Sequence, residues 1–173
     1  MSRPLIAVPS SALRVVGSTA NSQLTTRNSQ RAVIRRSTLR LIDASANRAL
    51  EGLRVCEEVV RFHLESRPLF RRCRALRHAV AGTVRRLPVS PVELVQARGS
   101  GRDIGRRAPA SRINSLERLL LINLQRAKES LRTLEECSRL IAPGQTPAFQ
   151  RLRFLTYELE RALLLRMAAV RHS

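Results

Sequence analysis

The chain has 173 residues, of which 43% are apolar, only 3% are aromatic and none is tryptophan. It is long enough for one sizeable core, and that core must be built from Leu, Val, Ile and Ala, a mixture that packs between helices and fits an all-β fold poorly. Seven Gly and eight Pro are too few for a collagenous or disordered chain, and no apolar run approaches the ~18 residues that span a bilayer. The formal charge of +19, carried by arginine at every basic position but Lys128, draws nucleic acid, anionic membrane and phosphorylated metabolites alike. Arginine in place of lysine favours bidentate contacts to phosphate and carboxylate, although a G+C-rich coding sequence would give the same bias.

Residues 1–37 hold no acid, are rich in Ser, Thr, Asn and Arg, and show no sustained period, which predicts a mobile basic tail. An organelle transit peptide or an early start codon would leave a similar stretch, and the plain tail is preferred. From Ile42 the series Ile42, Ala46, Ala49, Leu53, Cys56, Val60 steps by four and three and predicts one helix to about Leu64. Ser66 and Pro68 supply a cap and a first-turn proline for a second helix, whose stripe is Leu69, Cys73, Leu76, Val80, Val84 and Leu87. Pro88 and Pro91 end it, and a loop with Gly99, Gly101, Gly105 and Pro109 runs to about Asn114. The period returns with Leu120, Leu124, Ala127, Leu131, Leu134 and Ile141, in a helix from about Leu116 to Ile141. Pro143 and Gly144 break the chain before a last helix from Pro147 towards Val170. Cys56, Cys73 and Cys137 fall singly in these patterns, without metal-ligand spacing, and read as reduced core residues.

The two halves are copies. Setting Asn47–Phe62 against Gln125–Leu140 pairs Arg48 with Arg126, Ala49 with Ala127, Glu51 with Glu129, Leu53 with Leu131 and Arg54 with Arg132. The same register pairs Glu57 with Glu135, Glu58 with Glu136 and Arg61 with Arg139. Leu76-Arg77 and Leu152-Arg153 follow at nearly the same distance. The expected fold is therefore all-α: a four-helix bundle of two duplicated hairpins, about 38–88 and 112–170, related by a pseudo-twofold axis and joined by a Gly/Arg loop, 89–111.

Beside the first apolar stripe runs a polar one, Asn47, Glu51, Arg54, Glu58, Arg61, copied as Gln125, Glu129, Arg132, Glu136, Arg139. A solvated face laced with i,i+3 and i,i+4 ion pairs explains such a stripe without any function. The duplicated identities, however, are mostly charged, whereas a packing repeat need match only its apolar pattern. Arg and Glu facing each other across the axis would form a pocket with guanidinium groups for anions and carboxylates for a metal. The loop Ala97–Arg107 combines three Gly with four Arg; it reads as a flexible connector or a backbone nest for phosphate. His63 and His78 read as helix-surface or core-edge residues rather than catalysts. No GxxxxGK[ST] loop, kinase HRD or DFG set, GxSxG or HExxH is present, so any catalysis uses an unusual site.

The run Leu41-Ile42-Asp43-Ala44-Ser45-Ala46-Asn47-Arg48-Ala49-Leu50-Glu51-Gly52-Leu53-Arg54-Val55-Cys56-Glu57-Glu58 resembles the signature of the small hydroxymethylpyrimidine phosphate kinases of thiamine biosynthesis, often fused ahead of thiamine phosphate synthase. The second run, Asn123 to Glu136, resembles it too, as do Leu76-Arg77-His78 and Asp103-Ile104-Gly105, so the likeness covers roughly 38–160. Ser45, Gly99 and Arg106 depart from the family pattern. The resemblance implies ATP-dependent conversion of 4-amino-5-hydroxymethyl-2-methylpyrimidine phosphate to its diphosphate, with Mg²⁺ as the metal. It further implies Arg48, Arg54, Arg126 and Arg132 on phosphates, and Asp43, Glu51, Glu58, Glu129 and Glu136 as candidate metal holders. Asn47 and Asn123 would position substrate, Arg77 and His78 would bind substrate or nucleotide, and Arg98 and Asp103 would close the loop over the nucleotide. The expected location is cytoplasmic, and the expected partners are the two small substrates, with a functional link to thiamine phosphate synthase, no membrane, and a homodimer left open. Two other readings stand beside this one: a nucleic-acid-binding helical module, disfavoured by the scarcity of aromatics for stacking, and an inactive helical partner of the same fold.

Overall fold

A computed structural model describes residues 15–105 and 112–171. The first part of the expected tail and Arg106, Arg107 and Pro109 of the loop lie outside the described residues. Among those described, the chain is helical throughout, without a strand, and no helix is long and apolar enough to cross a membrane. Internal contacts divide it into two units, Met1–Ser37 and Thr38–Ser173.

The first helix, α1, runs Val15–Val59 and so starts well before the Ile42 that opens its apolar stripe. The expected irregular tail is thus helical from Val15. Residues 26–37 are all exposed, which is why no period marks them: with no face to bury, the segment relies on good helix formers such as Arg, Gln and Ala.

In the second unit the stripes bury as their spacing predicts. Ile42, Ala49, Leu53, Cys56 and Val60 are fully buried on the first helix, as are Leu120, Leu124, Ala127 and Leu131 on the third. The end of the first helix is a π-helical turn, Val60–Leu64, closed by Glu65 in the left-handed region at φ 47°. Helix α2, Arg67–Arg85, follows, with Ser66 at the N-cap position and Pro68 in the first turn, although the Ser66 side chain makes no capping hydrogen bond. The connector contains a helix that the loop reading missed: α3, Pro91–Ala97. Its cap is reciprocal, Glu93 N donating to Ser90 Oγ (3.2 Å) and Ser90 N to Glu93 Oε2 (2.8 Å), which is the Ser-x-x-Glu capping box. Helix α4, Leu116–Ile141, has the expected bounds, and after a 3₁₀ turn at Pro143–Gln145 helix α5 runs Thr146–Arg171.

One apolar core joins α1, α2, α4 and α5, and α5 packs along α4 and against α2. The approach of α1 to α4 is close. A Cβ at Gly52 would come within 2.7 Å of the Asn123 carbonyl oxygen, and the Cys56 thiol points at Leu120 O at 3.9 Å. All three cysteines are free and buried. Burial raises the Cys56 thiol far above its ordinary range and pushes Cys73 up to about 12, so both pack as small apolar groups.

Candidate functional site: a cavity between the repeated helices

Each half carries the same buried carboxylate held by two arginines. Glu57, 1% exposed, accepts from Arg54 Nη1 (3.1 Å) on one oxygen and from Arg77 Nε of α2 (2.7 Å) on the other. Glu135, 7% exposed, accepts from Arg132 Nη1 (2.9 Å) and from Arg153 Nε of α5 (2.8 Å). Arg54 and Arg132 also reach one turn on, to Glu58 Oε1 (2.6 Å) and Glu136 Oε1 (2.7 Å). Buried charge is tolerated only when paired and hydrogen-bonded, and both carboxylates meet that condition. These clamps tie α1 to α2 and α4 to α5. The repeat pairs Glu57 with Glu135, and Arg77 with Arg153 nearly in the same register, but the sequence alone assigns no role to the two glutamates or to Arg153. Their signal was the repeat itself, since a charge duplicated at a core-facing position must be paired.

The clamps also settle where Arg54, Arg132, Glu58 and Glu136 point. All four are engaged within their helices, and Glu136 additionally holds Arg139 at 3.1 Å. Arg54 and Glu58 border a separate, more apolar recess with Phe62 and Leu116.

Four other duplicated charges meet at one place. Arg48 and Glu51 of α1 and Arg126 and Glu129 of α4 line a cavity of about 520 Å³, whose floor is Gly52 and the buried Asn123. The missing side chain at Gly52 both lets the helices approach and leaves this space open. Arg48, Arg126 and Glu51 make no ion pair or hydrogen bond among the described residues, while Glu129 accepts only from Gln125 Nε2 at 2.7 Å and, through its backbone, from Thr133. Two guanidinium groups thus share one concave surface without a partner among the described residues, a chemistry suited to a doubly charged anion.

Of the remaining expected residues, Asn123 lines that cavity and the others lie apart from it. Arg98 holds Asp43 in a bidentate pair (Nη2 to Oδ1 2.6 Å, Nε to Oδ2 2.8 Å), and Asn47 Nδ2 donates to the same carboxylate at 3.4 Å. The connector is therefore latched to α1 through Asp43, whose oxygens are taken by donors. Asp103 accepts from Gly105 N (2.8 Å) within its own turn. Asn123 Nδ2 is turned back on its helix, donating to Leu119 O (2.8 Å), and His78 is exposed on α2. The five expected metal holders do not gather: among the described residues no three His, Cys, Asp or Glu side chains stand close enough to share an ion. Two of the five, Glu51 and Glu129, face one cavity. That pair fits Mg²⁺ arriving with phosphates, which needs only one or two protein carboxylates.

Comparison with known proteins bears on the same segment. The chain is 39% identical over 128 residues to a thiamine-phosphate synthase of Synechocystis, covering 72% of this chain and 36% of that protein. A thiamine-phosphate synthase of Nostoc is 35% identical over 139 residues, 79% of this chain and 38% of the relative. One of Rhodopirellula baltica is 32% identical over 138 residues, 78% and 36% respectively. The chain thus spans little more than a third of the length of these relatives. No solved structure matches it. Residues 40–162, which contain both clamps and every wall of the cavity, match one family along their whole length, and the chain belongs to the ThiD2 family.

Proposed function

We propose that the protein is a kinase that phosphorylates 4-amino-5-hydroxymethyl-2-methylpyrimidine phosphate to its diphosphate with ATP, and that its four long helices form a bundle whose pseudo-twofold axis passes through the cavity. One observation carries the reading: repeat-equivalent arginines, Arg48 and Arg126, stand unpaired at a single cavity beside repeat-equivalent carboxylates, Glu51 and Glu129. The likeness to thiamine-phosphate synthases ties the chain to thiamine biosynthesis, where a pyrimidine diphosphate is the species that a synthase would consume.

In the reaction an oxygen of the acceptor monophosphate attacks the γ-phosphorus of ATP, the bond from that phosphorus to the β,γ-bridging oxygen breaks, and ADP departs. The acceptor oxygen is already anionic, so no strong general base is needed. The task is to bring two repelling phosphates into line and to offset their charge. Arg48 and Arg126, one from each repeat, would take one phosphate apiece and stabilise the charge that spreads over the transferring group. Glu51 and Glu129 would hold Mg²⁺, which supplies further charge neutralisation when bound. The clamps at Glu57 and Glu135 keep the two hairpins rigid enough to hold those arginines opposite one another.

Purified protein supplied with ATP, Mg²⁺ and the pyrimidine monophosphate should release ADP and the pyrimidine diphosphate. Arg48→Ala and Arg126→Ala should each lower kcat/KM by about 100-fold, the order expected for one charge-stabilising donor, while far-UV circular dichroism stays unchanged. A folded wild type without turnover would remove the kinase reading. Full turnover in both variants would move the chemistry away from this cavity.

A further inference from the structure

Beside the central cavity lies a second recess, of about 420 Å³, on the outer side of α4. It shares Arg126 and Glu129 with the cavity and is otherwise formed by Arg118, Leu121, Ile122 and Gln125 of α4 and Glu160 of α5. Resting on the kinase reading, we infer that this recess is the nucleoside subsite of the phosphoryl donor, with the donor's phosphates running over Arg126 into the cavity.

Leu121 and Ile122 are half-buried, yet neither belongs to the hydrophobic core nor packs against it. The core-facing stripe of α4 is Leu120, Leu124, Ala127 and Leu131, so Leu121 and Ile122 form an apolar wall facing away from it. An apolar wall opening into a charged trough suits a flat heterocycle joined to phosphates. The polar groups around it agree. Gln125 spends its amide N–H on Glu129 (2.7 Å), which leaves its carbonyl oxygen to accept from an exocyclic amino group such as that of adenine. Glu160 is neutralised by Lys128 at 2.7 and 2.8 Å and so does not repel a nucleotide. Arg118 makes no ion pair among the described residues and adds positive charge at the outer rim.

The other repeat lacks such a surface. In the register that pairs Asn47 with Gln125, the positions of Arg118, Leu121, Ile122 and Gln125 fall on Arg40, Asp43, Ala44 and Asn47. There the two apolar residues are replaced by Asp43 and Ala44, and the connector reaches in to Asp43 and Arg40. Arg98 occupies the Asp43 carboxylate, and a Cβ on Gly99 would stand 3.5 Å from the Arg40 guanidinium carbon. Of these two repeat-equivalent surfaces, the second alone is both apolar and open, and it alone adjoins the cavity through Arg126 and Glu129.

The test is titration calorimetry of the full chain with ADP and Mg²⁺ and, separately, with the pyrimidine monophosphate, alongside steady-state kinetics. Ile122→Asp should weaken ADP binding and raise KM for ATP by about tenfold or more, with the affinity for the pyrimidine phosphate within twofold of wild type. Leu121→Ser is the second variant should the first lose helicity. The inference is overturned if nucleotide affinity is unchanged in both variants, if both ligands weaken together in a folded variant, or if the wild type binds no ADP. Active enzyme with an unaltered KM for ATP in the variants would reject this subsite and leave the kinase reading standing. Nucleotide binding that weakens in the variants without any turnover in the wild type would reject the kinase reading and keep the subsite.

Discussion

The two halves agree in their interiors and differ at their rims. Inside, Glu57 is clamped by Arg54 and Arg77, and Glu135 by Arg132 and Arg153, with bond lengths that match to within a few tenths of an ångström. At the edges, α1 ends in a π-helical turn where α4 stays α-helical to Ile141, and the connector is latched onto Asp43 where α4 offers Leu121. A duplication that binds the same ligand twice would keep its rims alike. Here the frame is kept and the surroundings have diverged, which agrees with the proposed reaction, in which one central site would accept two different molecules side by side.

The largest effect expected from that comparison is on the clamps. Removing one partner of a buried, hydrogen-bonded pair strands the other charge, so Glu57→Ala and Glu135→Ala should each destabilise the protein by about 3 kcal/mol. Chemical denaturation followed by circular dichroism measures both. Comparable losses would support structural equivalence of the halves, whereas a harmless Glu135→Ala beside a damaging Glu57→Ala would show that only one hairpin depends on its clamp.

A smaller effect separates Gly52 from its repeat counterpart, Ser130. An alanine methyl at 52 would meet the Asn123 carbonyl at 2.7 Å, backbone that cannot swing aside, so Gly52→Ala should cost roughly 1–3 kcal/mol and narrow the cavity. Ser130 is buried with a side chain already accommodated. Ser130→Ala should therefore stay within about 1 kcal/mol of wild type. If the two substitutions prove equally mild, the closeness of α1 to α4 at this level is not a constraint on the site.

Much of this frame was legible in the sequence, because burial leaves a period. The stripes from Ile42 to Val60 and from Leu120 to Leu134 needed only counting by threes and fours, and the bounds of α4 followed from its flanking breakers. The π-turn at Val60–Leu64 leaves no such mark, since its residues continue an apolar pattern. The early part of α1 was hidden for the opposite reason, since residues 26–37 have no buried face to impose one. At the site, the repeated charges were visible, but not which of them would point inward. Arg48 and Arg54 lie six positions apart on one helix, so they project about 120° apart around it and face different surroundings. The polar stripe as read ran through Glu51, Arg54 and Glu58, whereas the cavity collects Arg48 with Glu51 and their copies. Only the crossing of α1 and α4 selects that subset, and crossing geometry is not written in either helix alone.

The smallest effect concerns how each repeat begins. In the repeat register Ser115 corresponds to Ser37. Ser115 is the N-cap of α4, its Oγ accepting from Arg118 N at 3.1 Å, while Ser37 lies inside α1, where every backbone N–H already has a carbonyl one turn before it. A serine is worth keeping only at the first of these places. Ser115→Ala should cost about 1 kcal/mol through the lost cap, and Ser37→Ala should fall within about 0.5 kcal/mol of wild type, tending towards a gain from alanine's higher helix propensity. The pair of denaturation midpoints reads the difference directly. A loss at Ser37 as large as that at Ser115 would mean that a helix start, and with it the symmetric beginning of both repeats, persists at residue 37.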